Sequence, residues 1–97
     1  MTPPKHLSPA AKRLYRAIAA DVELDAAAGM ILQAGLENWD RLQRCREIIA
    51  EDGLLTPDGR RHPLLDAETA AYRLLLSNFR ELGLDPPNPV GRPPKSL

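Results

Sequence analysis

Cysteine is almost missing from this 97-residue chain: Cys45 stands alone, which excludes an intramolecular disulfide framework. No cysteine cluster or histidine pair at ligand spacing points to zinc or any other metal, and no cofactor fingerprint occurs. Net charge is missing as well. Thirteen Lys and Arg balance thirteen Asp and Glu, which argues against a polybasic binder relying on a broad positive field. Any DNA affinity is then local, or multiplied by assembly. No run approaches the roughly 18 to 20 apolar residues of a membrane span, and the start, Met1 to His6, lacks the apolar core of a signal peptide. The expectation is a soluble, unexported protein of a reducing cytoplasm with no membrane partner.

Strand-forming residues are scarce too. Val, Ile and Thr supply nine positions against thirteen Ala and sixteen Leu, and only Tyr15, Trp39, Tyr72 and Phe79 are aromatic. An all-α fold with an aliphatic helix-on-helix core follows. A chain this short buries only about 60 to 65% of its unfolded surface, so partner subunits sharing its apolar faces are expected.

Proline, by contrast, is plentiful and sets the layout. Ten prolines leave two proline-free windows, 10–56 and 64–85. Residues 1–7 form a short, flexible arm, 8–83 a single helical domain, and 84–97, with five prolines in fourteen residues, an extended tail. Ser8-Pro9 is a helix start, and Ala11, Leu14, Ile18 and Val22 recur at three and four, predicting a first helix from Pro9 to Asp21 or Val22. Asp25 caps a second, long helix over Ala26 to Asp52, closed by a left-handed Gly53. Its apolar arc, Ala28, Leu32, Gly35, Trp39, Leu42 and Ile49, widened by Ile31, Ala34, Cys45 and Ile48, is broader than one short partner helix covers. Gly29 and Gly35 mark close packing or a bend. Pro57-Asp58-Gly59 is a turn, so residues 54–63 are expected as a short hairpin or irregular lobe. A third helix runs from Pro63 or Leu64 to Leu82, with Ala67, Ala71, Leu74, Leu75, Phe79 and Leu82 on one side and Gly83 closing it.

Catalytic chemistry finds little to use. Cys45 sits mid-helix with no base at a promising spacing and reads as a small buried hydrophobe, while His62 reads as a cap for the third helix. No catalytic residues are assigned, and the chain reads as a non-enzyme. Basic residues offer more. Met1 to Ala20 carries Lys5, Lys12, Arg13 and Arg16 and no acid, and Asp21, Glu23 and Asp25 then reverse the sign at once. Those four cations are the principal DNA-facing candidates. Arg60 and Arg61 at the turn, and Arg92 and Lys95 in a Gly-Arg-Pro tail suited to a narrow minor groove, are secondary ones. Val90 stands where a full hook would carry another base, so a plain proline-rich tail is the blander account. Arg41, Arg44 and Arg46 are matched by Glu37, Asp40 and Glu47 at helical spacing.

The order of these features resembles the small terminase subunits of tailed phages, in the branch represented by the HK-ninety-seven type of packaging system. Leu7-Ser8-Pro9 precedes a short helix, and Trp39 sits midway along a long one. Gly53-Leu54-Leu55, the Gly59-Arg-Arg-His62-Pro63 turn, a leucine-rich helix and Leu82-Gly83-Leu84-Asp85-Pro86 follow. The likeness spans about residues 7 to 90. It implies a DNA-packaging factor that binds double-stranded DNA, recruits or regulates the large ATPase and nuclease subunit, and forms a homo-oligomeric ring of about eight to ten copies. Trp39, Leu42 and Ile49 are the candidates for subunit packing, with a place in the chain's own core as the equal alternative for each. The arm is shorter than in many relatives, which fits a prophage or gene-transfer-type member. The alternatives are a small helical DNA-binding regulator and a protein adaptor with little DNA affinity.

Overall fold

A computed structural model describes residues 2–87, and its only regular elements are three helices: α1 (Pro9–Asp21), α2 (Ala26–Asp52) and α3 (Leu64–Leu82). Each boundary has a local chemical cause. Ser8 Oγ accepts from the Ala11 amide at 3.0 Å, with Pro9 preset in the first turn. Asp25 Oδ1 accepts from the Ala28 amide at 2.7 Å. Gly83 ends α3 in the left-handed region at φ 70°, and the Leu84 amide donates back to the Phe79 carbonyl, folding Leu84 against the core. Gly53 differs from expectation. Its φ of 88° is positive but its ψ is 167°, so the chain leaves α2 extended, in a conformation nearly restricted to glycine, and not through a left-handed cap.

The segment between α2 and α3 is a small looped lobe. Leu55 and Arg61 form one isolated antiparallel bridge, and Gly59, at φ 82°, turns the chain between them. His62 then joins the two helices. Its Nδ1 accepts from the Leu64 amide at 3.1 Å, capping α3, while Nε2 meets Asp52 Oδ2 at 2.9 Å on the last turn of α2. An accepting Nδ1 places the proton on Nε2, so the ring is the neutral tautomer that donates to Asp52. The expected capping role of His62 is present.

Helix α2 is the spine. It packs along α3, running antiparallel, and against α1, while α1 and α3 make no direct helix packing. Leu32, Leu36 and Leu42 from α2 meet Ala71, Leu75 and Phe79 on one side and Leu7, Ala11 and Tyr15 on the other. Gly35 lets α3 approach: a Cβ there would lie 2.9 Å from Phe79 Cε1. Close packing is thus the reason for Gly35, and α2 continues unbroken past Gly29. Two polar ties fix the register of α2 on α3. Asn38 Nδ2 donates to Asn78 Oδ1 at 3.0 Å, and Arg46 Nε lies 3.5 Å from Glu68 Oε2.

Four expectations need correcting. The arm is not free over residues 2–7, because Leu7 is buried in the core and His6 Nε2 meets Glu37 Oε2 at 2.6 Å. The broad apolar arc of α2 is covered in part from within, since α1 and α3 pack on it and Leu32, Gly35, Leu42, Cys45 and Ile49 are buried, while Ala28, Ile31, Ala34, Trp39 and Ile48 stay half-buried. Leu42 and Ile49 are consequently buried at 0% and 6% exposure and offer a neighbouring subunit no surface; only Trp39 of that trio stays partly exposed. On α3, Leu74 and Ala67 point outward, since with one partner helix the stripe Ala71, Leu75, Phe79 suffices.

Candidate nucleic-acid interface

The positive charge at the start of α1 is built from the Ser8 cap outward. Asp40 of α2 accepts from the Ser8 amide at 2.9 Å and from the Ser8 hydroxyl at 2.6 Å. Its carboxylate thereby sits against the amino end of α1, where negative charge is favoured. This double bond fixes the rotation of α1 on α2. With Ala11 and Tyr15 turned into the core, Lys12 and Arg16, one turn apart, lie together on one flank. Arg13 falls on the other flank and borders Trp39. Arg13 and Arg16 are exposed, Lys12 is half-buried along its stem, and Lys5 is exposed in the preceding turn.

Among the described residues, none of Lys5, Lys12, Arg13 and Arg16 has an ion-pair partner. Four of the seven arginines of the α2–α3 half behave differently, Arg41 being held by Asn38. Arg44 Nη1 is 3.5 Å from Glu47, Arg46 is held by Glu68, Arg60 Nε is 3.4 Å from Asp58, and Arg61 Nη1 is 3.1 Å from Asp66. The acid beside Arg60 is firmly ionised. A hydrogen bond from the Thr56 hydroxyl, helped by the Arg60 amide, holds the Asp58 carboxyl below its usual value. The turn cations Arg60 and Arg61 are therefore partly neutralised at their own site, and the turn is not brought next to the α1 patch. Arg92 and Lys95 lie outside the described residues.

No family model, curated protein or solved structure matches the chain. Its residues must therefore carry the functional argument. The basic positions not singled out from the sequence are Arg73 and Arg80 of α3, exposed and without ion-pair partners among the described residues. Their i, i+7 spacing on one helix is the signal that could have found them.

Between α1 and α2 an open groove of about 770 Å³ runs past His6, Ser8, Arg13, Trp39, Gln43 and Arg44. It adjoins a hollow of about 370 Å³ lined by Ala10, Arg13, Leu14, Ala17 and Trp39. The indole Nε1 of Trp39 is buried there with no acceptor among the described residues. Both described histidines are engaged, His6 by Glu37 and His62 by Asp52 and Leu64, and Cys45 is a buried free thiol. Among the described residues no group of three metal-binding side chains gathers, and no helix is long and apolar enough to cross a membrane.

Proposed function

We propose that the chain is a small terminase subunit: a non-enzymatic, ring-forming DNA-packaging factor of about eight to ten copies that binds double-stranded DNA and recruits the large ATPase and nuclease subunit. The observation that supports DNA contact is the cluster of four unpaired cations at the start of α1, in a stretch of the chain that carries no acid, set against the four paired arginines around the α2–α3 loop. An exposed cation with no carboxylate nearby is free to replace a phosphate counterion, whereas a paired one must first give up its partner. Lys12 and Arg16 form the contacting flank, with Lys5 ahead of them. Their contribution per copy is small, and repetition around a ring multiplies it without new contacts.

Support for the packaging role comes from the motif order, Leu7-Ser8-Pro9 through Leu82-Gly83-Leu84-Asp85-Pro86, and from the structural use of its parts. Ser8 and Pro9 start α1, His62 caps α3 and Gly83 ends it. Native mass spectrometry combined with fluorescence anisotropy on duplex DNA tests the reading. A discrete ring that binds duplex with strong salt dependence, and that co-purifies with the large subunit, is the expected result. A strictly monomeric protein at micromolar concentration contradicts it. A dimer that binds short duplex tightly and ignores the large subunit favours the regulator instead.

A further inference from the structure

The cations of α1 serve two surfaces. Lys12 and Arg16 share one flank, while Arg13 borders the hollow floored by Ala10, Leu14, Ala17 and Trp39. The acids beside that groove are already engaged: Asp40 is taken by Ser8, and Glu47 by Arg44. What the groove presents to a visitor is therefore the apolar Ala10, Leu14, Ala17 and Trp39 and the unpaired charge of Arg13, beside the mutually paired Arg44 and Glu47.

A matching surface exists on the same chain at the corner between α1 and α2. Asp21, Glu23 and Asp25 are exposed there, and none has an ion-pair partner among the described residues. Met30, one turn further along α2, is 73% exposed, the most exposed large hydrophobic side chain of the described residues. Methionine against tryptophan is a favourable and adaptable contact, and the carboxylates of Asp21 and Glu23 at the same corner complement an arginine at the rim, Asp25 being held as the cap of α2. One copy cannot make this contact with itself. Arg13 and Asp21 are eight residues apart on a single rigid helix, about 12 Å along its axis.

We propose that the Arg13–Trp39 groove receives the acidic, Met30-bearing corner of a second copy of this chain. Two different patches meet, so the contact is head-to-tail and generates a ring when the rotation closes. The inference rests on the assembly reading above and assigns its surfaces. It gives Arg13 to the subunit contact and leaves Lys12 and Arg16 to DNA.

The test is charge reversal in the full chain, read by sedimentation velocity, with circular dichroism confirming unchanged helix content. Arg13→Glu, and separately the double variant Asp21→Lys with Glu23→Lys, each move assembly to at least about tenfold higher protein concentration. Mixing the two variants restores it, because each reversed surface then meets its reversed partner. Assembly that ignores Arg13→Glu, or a loss that mixing fails to restore, overturns the inference. So does disruption by Leu74→Ser with Arg13→Glu silent, which places the contact on the outer face of α3. Loss of DNA binding in Arg13→Glu with assembly intact also overturns it, by making DNA the occupant. A wild-type chain monomeric at high micromolar concentration removes the assembly reading as well, whereas an assembled chain indifferent to Arg13→Glu removes this inference alone.

Discussion

Positive charge is treated differently at the start of α1 and around the loop joining α2 to α3. Of the seven arginines of the α2–α3 half, Arg44, Arg46, Arg60 and Arg61 each stand within 4 Å of a carboxylate, and Arg46 ties one helix to the other, while Arg41, Arg73 and Arg80 have no ion-pair partner among the described residues. At the start of α1, Lys5, Lys12, Arg13 and Arg16 have no such partner, and the acids within reach, Glu37 and Asp40, are spent on His6 and Ser8. A paired charge contributes to the fold; an unpaired, exposed one contributes to solubility or to a partner. The zero net charge averages these two regimes and conceals both.

The largest expected break of this contrast lies in the core of the α2–α3 half. Phe79 is fully buried against Gly35, so Phe79→Ala costs about 3–5 kcal/mol. In a small domain that is most of the stability, and urea unfolding should show near-complete loss of the native state. Next comes the α1 flank. Replacing Lys12 and Arg16 with Glu should weaken duplex binding by about tenfold or more while leaving urea stability within about 0.5 kcal/mol; a matching loss of stability would mean these cations belong to the fold. Ser8→Ala removes the cap on the Ala11 amide and the hydroxyl bond to Asp40, which keeps its bond from the Ser8 amide, lowering stability by about 1–2 kcal/mol in the same assay. It should reduce DNA binding only through the changed seating of α1.

The smallest effect concerns Asp58. Its carboxyl is held below the usual value in the folded chain, so its share of stability is complete above pH 3.8, the ordinary value, and fades as pH falls further. Asp58→Asn should therefore flatten the acid limb of a stability-pH curve slightly and lower stability slightly at neutral pH, where the share it removes is present in full. A variant whose acid limb keeps the wild-type slope would contradict this share.

The same contrast explains what could be read from residues alone. Helix ends were legible because their causes are local: Ser8-Pro9, Asp25, His62-Pro63 and Gly83 each act on groups within a few positions. The arrangement of faces was less so. Leu74, Leu75 and Leu76 are consecutive, and periodicity cannot say which of them turns inward until the number of helices packed on α3 is known. Leu42 and Ile49 were open to either an internal or an intersubunit role for the same reason, since α1 could cover part of α2 or none of it. Tyr15 was eclipsed by the aliphatic stripe, though it lies one turn from Ala11. The Asn38–Asn78 bond joins positions forty apart in sequence and leaves no periodic trace. Charge pairing was half legible. Arg44 with Glu47 is a helical-spacing pair, but Arg46 reaches Glu68 on another helix, and Asp40 went to Ser8 and not to an arginine.

Salt-titrated binding to duplex DNA compares the two kinds of cation most directly. Lys12→Ala with Arg16→Ala should lower the slope of log affinity against log salt by about 1.8, from about 0.9 for each lost phosphate contact. Arg60→Ala with Arg61→Ala should leave that slope nearly unchanged. Equal losses in the two variants, or a loss confined to the turn, would contradict the claim that unpaired α1 charge is what the protein offers to DNA.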